Sequence, residues 1–394
     1  MKKIIAVIAL IFIVPFTKAQ TRVITTGVPF LLVAGDARAA GMADNGVATS
    51  PDVFSQQWNP SKYAFSSDKQ GFSVGYTPYL VELVNDISLS QVTYFNKYSE
   101  RAAFAGSIRY FSLGEIELRQ NAEDQPTVVK PAEYALDLSY ALKLSDYFSM
   151  SVGARYIRSN LRIPTEGTSS AAPASSFAFD VSGFHQSEEM AFNSFNGKLR
   201  WGFNFQNLGP KINYDKAAGD EGSNFLPSNM KLGSGFDFIL DDYNKVSVGV
   251  EVNKLLVPTP IDPVDLNGNG NFNDPGDKTQ RQANEEYDKI GWVSGIFKSF
   301  NDAPGGMSEE LKEFTYSVGA EYLYQDSFAF RLGYFNESPD KGARRFFSLG
   351  AGFKYNIIKV DVSYLFSAAK QKNPLENTLR FSLSFAFGDK YDEF

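Results

Sequence analysis

The chain has 394 residues, a formal net charge of −7, no cysteine and one histidine. These values exclude disulfides and thiolate chemistry, argue against nucleic acid as a partner, and make histidine-based catalysis or metal binding a poor expectation. Phe and Tyr are abundant, at 35 and 20 residues, and both favour β-strands and form the aromatic girdles of membrane barrels.

The first nineteen residues predict a secretory signal peptide, domain 1–19. Lys2 and Lys3 precede an apolar run over residues 4–16, and Ala19 supplies a small residue for cleavage. The apolar run is too short to span a bilayer as a helix. No later segment has eighteen uninterrupted apolar residues, so transmembrane helices are not expected.

Residues 20–69 have a different character, most clearly over 27–66. This segment is rich in small residues and contains the turn-forming pairs Asn45-Gly46, Ser50-Pro51 and Asn59-Pro60. Short helices are predicted at 36–42 and 51–58. The segment is too polar for lipid and too short for a domain, so we predict an N-terminal hatch that plugs a lumen. The alternative is a periplasmic tail.

From residue 70 onward the hydropathy alternates with a period of two, which is typical of strands with one apolar and one polar face. In one segment Leu379, Phe381 and Leu383 alternate with Arg380 and Ser382. About fourteen segments follow this pattern, each near the ten residues that a tilted strand needs to cross a bilayer. The predicted strands are 70–79, 86–96, 101–111, 133–144, 147–158, 176–184, 198–208, 228–239, 244–255, 313–325, 327–336, 345–356, 358–368 and 376–387.

A soluble β-sandwich alternates in the same way, but the connections here favour a barrel. Tight turns alternate with long loops near 112–132, 159–175, 209–227, 256–312 and 337–344, which is the pattern of short periplasmic turns and long surface loops. The terminal Phe394 is typical of an assembly signal for such barrels. We therefore predict an all-β membrane protein in the outer membrane. It is an antiparallel transmembrane β-barrel of about 14 strands over 70–394, with its N-terminal hatch inside.

The polar strand faces must then line the lumen. Their charges include Asp137, Arg155 and Glu251, and a group that could in principle act as an acid/base set: Glu321, Arg331, Asp361 and Arg380. We interpret this group as a structural ion-pair network across neighbouring strands. No nucleophile elbow, zinc motif or P-loop is present, and no residue is predicted to be catalytic, so the chain is not expected to be an enzyme. His185 is interpreted as a girdle or turn residue.

The loop 256–312 is long for a barrel and is the predicted partner-binding region. Apolar and aromatic side chains on a polar loop suit a protein interface, and the predicted contact residues are Trp292, Ile296, Phe297 and Phe300. The alternative is that the loop closes over the barrel mouth as a lid.

The same loop contains a candidate calcium site. Asp265, Asn267 and Asn269, followed by Gly270, match the opening of a calcium-binding loop, but Gly276 stands where a bidentate Glu is expected. The alternative is a turn-rich segment of Asn-Gly pairs. No other cofactor is expected.

The N-terminal segment also carries a family resemblance. Pro29-Phe30, Asp36 with Arg38, and Trp58-Asn59-Pro60 form its signature, together with the intervening run Asp44 to Asp52. This signature resembles that of the PorV (LptO) outer-membrane proteins of the Bacteroidota type IX secretion system, within the FadL-like barrel superfamily. It covers about a tenth of the chain, and the strand count and loop pattern extend the agreement.

The resemblance implies a function that composition does not. PorV-like proteins bind the type IX translocon barrel. They take secreted proteins by their C-terminal signal domains to the surface sortase and attachment complex, which links them to lipopolysaccharide. The alternative, implied by the superfamily, is a FadL-like transporter of hydrophobic small molecules across the outer membrane.

Overall fold

The computed structural model describes residues 23–119, 125–161, 173–214, 223–368 and 375–388. The predicted signal peptide and Phe394 lie outside these ranges. Among the described residues, no helix is both long enough and apolar enough to cross a bilayer.

Fourteen strands form one antiparallel sheet that closes on itself, because the last strand pairs with the first and Gln70 lies opposite Phe387. The strands are β1 Gln70–Pro78, β2 Ile87–Asn96, β3 Ala102–Leu113, β4 Ala132–Lys143, β5 Phe148–Asn160, β6 Ala174–Gln186, β7 Asn196–Leu208, β8 Asn229–Ile239, β9 Asn244–Leu255, β10 Phe314–Tyr324, β11 Phe328–Asn336, β12 Arg345–Tyr355, β13 Ile358–Ser367 and β14 Leu379–Phe387. The predicted barrel is confirmed, and each predicted strand agrees within three residues at either end.

Several connections between the barrel strands contain short additional strands. Ile116–Leu118 pairs with Thr127–Val129, Ile212–Asn213 pairs with Ser223–Asn224, and Met190–Ala191 pairs with the start of β7. They lengthen hairpins beyond the barrel wall without adding to its circumference.

The pleat sorts side chains as the alternation predicts. On β4, Tyr134, Leu136 and Leu138 are exposed on the outer surface, whereas Ala135 and Asp137 are buried inside. Closure pairs the backbone groups of neighbouring strands, so apolar side chains can face lipid without an open sheet edge.

The barrel has two unlike ends. The first strand begins and the last strand ends beside the short turns, and by the arrangement of outer-membrane barrels this is the periplasmic end. The long connections lie at the other, extracellular end. The longest is 256–313, which contains α3 Gln280–Asp288, α4 Trp292–Lys298, α5 Met307–Glu310 and a 3-10 turn, Leu311–Glu313. The plug contains α1 Ala37–Ala40, α2 Ser55–Trp58 and the 3-10 turns Pro29–Leu32 and Pro60–Phe65.

The plug fills the lumen from one end to the other. At the extracellular end Gly27 donates its backbone N–H to the carbonyl of Phe225, at 2.9 Å. At the periplasmic end Lys97 Nζ donates to the carbonyl of Ser66, at 2.8 Å. The segment therefore lies inside the barrel and does not extend away from it as a periplasmic tail. Its helices are shorter than the two predicted.

Candidate functional site

Asp36 and Trp58 connect the two helices of the plug. The buried Asp36 carboxylate accepts a hydrogen bond from the Ala39 N–H at 2.8 Å and one from Trp58 Nε1 at 2.6 Å. Asp36 is extended and caps α1. A four-residue helix has little intrinsic stability, so its cap and its packing hold it in place.

Arg38 joins the plug to the barrel wall. Its Nε and Nη2 donate to the two carboxylate oxygens of Glu321 on β10, at 3.1 and 2.8 Å, and its Nη1 donates to Asp52 at 2.7 Å. Glu321 also accepts from Arg331, which lies directly opposite on β11, and Arg331 is 2.8 Å from Asp361. These contacts join three of the four residues of the predicted cross-strand ion-pair network and extend it into the plug, whereas Arg380 instead lies 3.4 Å from Asp44.

A second lumenal network contains other predicted charges. Arg155 on β5 pairs with Asp137 on β4 and with Asp180 on β6. Arg155 also donates to Asn207, which lies where the β6–β7 register shifts. The carboxylates on either side compensate the charge of a buried guanidinium, which indicates a structural role.

Asn59 and Pro60 begin the last turn of the plug. The fully buried Asn59 amide donates to the carbonyls of Val47 and Gly183, both at 3.0 Å, and so joins plug to wall. Its Oδ1 accepts from Ser61 N–H as a cap. Pro60 occupies the first helical position, where its missing N–H costs no hydrogen bond.

Pro29 and Phe30 form the extracellular part of the plug. Pro29 is exposed and begins a 3-10 turn, whereas Phe30 is buried and stacks on Phe111 with 6.0 Å between ring centroids. Arg109 lies over the Phe30 ring and donates to the Leu31 carbonyl at 2.9 Å. The sequence interpretation missed Arg109. The sequence places Arg109 on the inward face of β3 with no charged residue at the neighbouring inward positions of that strand. This isolation could have indicated a contact with the plug.

A row of glycines is a second feature that the sequence interpretation missed. One inward glycine in each of four consecutive strands lies opposite the next: Gly235, Gly249, Gly319 and Gly333. A Cβ at Gly319 would lie 2.8 Å from the Met42 carbonyl oxygen, and the plug backbone also passes directly over Gly333. Only glycine permits this close approach.

The middle of the plug is held by hydrogen bonds from the barrel wall and from another part of the plug. Glu251 Oε2 accepts the N–H groups of Gly46 and Val47, both at 2.9 Å, and Lys62 Nζ donates to the Gly46 carbonyl at 2.8 Å. Between the plug and β8–β10 lies a cavity of about 10 Å³, room for one water molecule. The described part of the plug therefore lies close against the wall on this side of the lumen.

The surface loop presents part of the predicted contact set. On α4, Phe297 is 74% exposed, Phe300 is exposed beyond the end of the helix, and Trp292 and Ile296 are half-buried. Val293 is also exposed, and its spacing from Phe297 places the two on one helical face. The opposite face packs through Gly295 against Phe225 and Pro258.

Buried charges fasten this loop to the barrel. Glu313 accepts from Lys254 of β9, from Lys341 of the next loop at 2.9 Å, and from Thr259 at 2.9 Å. Glu310 accepts hydrogen bonds from the backbone N–H groups of Asp302 and Ala303, at 2.7 and 2.9 Å. The helical part of the loop is therefore braced against the rim.

The candidate calcium ligands lie in an exposed turn. Asp265 Oδ1 accepts the Gly268 N–H at 2.7 Å, and the amides of Asn267 and Asn269 donate to Asp274 at 2.8 and 2.6 Å. Within the described ranges, no three His, Cys, Asp or Glu side chains are grouped to hold a metal ion. Calcium binding by this turn stays a prediction.

His185 lies outside these groups. It stacks on Trp201 with 5.3 Å between ring centroids, near the periplasmic end of β6 and on the outer surface. This is the place of a girdle aromatic.

The chain is similar to a known family in sequence and to known proteins in structure. The sequence model of a family described as type IX secretion system protein PorV matches residues 16–262. No curated protein matches the sequence. The fold is similar to that of the TodX deltaS2S3 mutant monoaromatic hydrocarbon channel, with a TM-score of 0.53 and 10% identity over 89% of this chain and 99% of that chain. It is also similar to the P. putida toluene transporter TodX, with a TM-score of 0.50 and 9% identity over 89% and 98%. At such identities the likeness shows the fold alone.

Proposed function

Because the chain belongs to the PorV family of type IX secretion system proteins, we propose that it binds the translocon barrel and carries cargo bearing a C-terminal signal to the surface sortase and attachment complex. It is an outer-membrane β-barrel of FadL-like fold. The proposed role is non-enzymatic. The observation that carries the proposal is a filled lumen beneath a braced surface loop that exposes aromatic side chains.

The filled lumen supports a role at the barrel surface. Arg38, Asn59 and Glu251 bond the plug to the wall at three heights. The plug lies in the path that a cargo chain would take through the barrel. Cargo and partners therefore meet this protein at its extracellular end.

The braced loop supports protein binding there. Large aromatic side chains bury much area for little lost conformational entropy, and rigid presentation lowers the cost of association. Phe297 is solvent-exposed on a helix whose base is fastened by Lys254, Glu310 and Glu313. Such a residue is suited to enter a pocket of a partner.

The double variant Val293→Ser/Phe297→Ser tests this surface. We expect it to insert and fold normally but to lose co-purification of translocon and cargo from native outer membrane. Phe272→Ser is the matched control, because Phe272 is an exposed aromatic in the same loop but far from α4 in sequence. Normal co-purification and secretion with the double variant would remove α4 from the proposal.

The alternative is a FadL-like transporter of hydrophobic small molecules. Here an apolar cluster at the extracellular end of the lumen is occupied by Val28, Phe30 and Leu31 of the plug itself. Transport through the lumen would require these side chains to leave. The likeness to hydrocarbon channels favours this alternative by fold, and the packing of the plug favours the secretion role.

A reversible lock on the plug separates the two functions. The Ala48 Cβ lies 3.2 Å from the position of a Cβ at Gly233, so the two positions need to move only slightly apart to reach the roughly 3.5–4.5 Å found across a disulfide, and the chain has no cysteine to mispair. We expect Ala48→Cys/Gly233→Cys to support secretion equally when oxidised and reduced. A transporter would take up its substrate only when reduced.

A further inference from the structure

Arg380, the second residue of β14, has an incomplete set of partners. Its side chain faces the lumen near the extracellular end and is 1% exposed. Nη1 lies 3.4 Å from Asp44, whereas Nε and Nη2 have no hydrogen-bond partner among the described residues. Burying guanidinium donors without hydrogen-bond partners costs free energy. A bound anion would offset this cost by accepting their hydrogen bonds.

The two unpaired nitrogens lie on the same edge of the guanidinium. This edge presents two parallel N–H groups that match the two oxygens of a carboxylate. Elsewhere in the chain that edge is filled in this manner: Arg38 uses it for Glu321 at 3.1 and 2.8 Å, and Arg344 uses it for Glu337 at 2.8 and 2.9 Å. In Arg380 the same edge has no hydrogen-bond partner among the described residues.

A second unpartnered group lies beside it. Ser363 of β13 is directly opposite Arg380 in the sheet register, so both side chains point into the lumen. The Ser363 hydroxyl is buried and has no hydrogen-bond partner in the described part of the chain. The Asp44 side chain across from them is 22% exposed, which indicates that solvent reaches this place.

We propose that the Nε–Nη2 edge of Arg380, together with the Ser363 hydroxyl, binds a carboxylate at the extracellular end of the lumen. The two carboxylate oxygens accept from Nε and Nη2, and Asp44 is the competing anion. The carboxylate has two chemical sources. One is a free small carboxylate. The other is the terminal carboxylate of a cargo chain, and this source rests on the proposed function.

Acetate tests the site independently of cargo. With wild-type barrel in detergent, acetate replacing chloride at constant ionic strength should raise the unfolding temperature, because a ligand that binds only the folded state stabilises it. Arg380→Gln should abolish this shift. Asp44→Asn should enlarge it, because the competing carboxylate is removed, and this opposite effect does not depend on Arg380→Gln folding well. Arg158→Gln is the control, since it removes a charge on the outer surface of β5 near the same end of the barrel.

A cargo C-terminal domain, made once with a free and once with an amidated last residue, tests the second source. If cargo supplies the carboxylate, amidation should weaken binding to wild type about tenfold or more, as expected for a charged hydrogen-bonded pair. The amidated and free forms should then bind Arg380→Gln equally.

The outcomes separate the inference from the proposed function. An acetate effect with no cargo binding in either form supports the site and contradicts the proposed function. Cargo binding that ignores amidation, with an acetate effect that depends on Arg380, assigns the site to a free carboxylate. If neither acetate nor amidation has an effect that depends on Arg380, the unpaired edge binds no carboxylate and the inference is wrong.

Discussion

Replacing Arg38 by methionine should release the plug from the barrel wall. Methionine keeps much of the aliphatic volume but removes every donor. In the folded chain these donors make five hydrogen bonds, two to Glu321, one to Asp52 and two to Ser50. Arg331 still faces Glu321, so one carboxylate keeps a partner while Asp52 loses its guanidinium.

The magnitude follows from the burial of the pair. Removing one partner of a buried ion pair costs about 3–5 kcal/mol, because the other charge stays without compensation. If this cost falls on plug docking alone, the open fraction rises by two to nearly four orders of magnitude. The variant Arg38→Met/Glu321→Gln should cost less than the sum of its single changes, since neither charge of that pair remains.

Thiol labelling measures the open fraction directly. Ala48 belongs to the plug and is buried against β8, and the chain is free of cysteine, so Ala48→Cys gives a single reporter. Its maleimide labelling rate in folded barrels should rise with Arg38→Met by the factor above. It should not change with Arg281→Met, which removes an exposed arginine of α3. A labelling rate for Arg38→Met within tenfold of the parent would refute the view that this network holds the plug.

Three further predictions concern other parts of the chain. Asn59→Ala removes the amide that donates to two buried carbonyls and should lower the free energy of unfolding by about 1–3 kcal/mol, measured by denaturant titration. Burial, with Glu310 and Glu313 nearby, raises the pKa of Asp302, so the folded loop binds this proton more tightly than the unfolded loop. Loop stability should therefore fall as pH rises through that pKa, seen as faster hydrogen exchange over 256–313, and Asp302→Asn should remove the dependence. If the turn at Asp265 binds calcium, calorimetric titration of the wild-type barrel with calcium should give a saturable heat, and Asp265→Asn should abolish it. The absence of such a heat with the wild-type barrel would exclude the site.

The strands were predictable because two constraints act on each of them. Lipid outside and polar plug inside force a strict alternation, as in Leu379 to Phe387, and the bilayer fixes the length. The ends were less exact where the extracellular loops begin, as at β14, which starts three residues later than predicted. Beyond the bilayer the alternation no longer has to match a lipid face.

The partners of lumenal side chains were predictable only where the pairing is local. Glu321 and Arg331 lie opposite each other across a tight turn, so the spacing of the hairpin brings them together. Arg380 was assigned to the same network, yet the network does not include it, because its neighbours depend on the register of β13 and on where the plug places Asp44. Neither is encoded in the local sequence around Arg380.

The likeness to hydrocarbon channels and the membership of a secretion family are compatible because a barrel wall specifies little about what its lumen does. In this chain the wall is adapted to hold a plug. Because Gly319 and Gly333 have no side chains, the plug backbone can lie directly against the strands, and Glu251 accepts hydrogen bonds from two plug N–H groups. A wall shaped to its own plug leaves the extracellular loops as the surface on which partners can act. For this reason the locked-plug variant tests the function more directly than the fold comparison does.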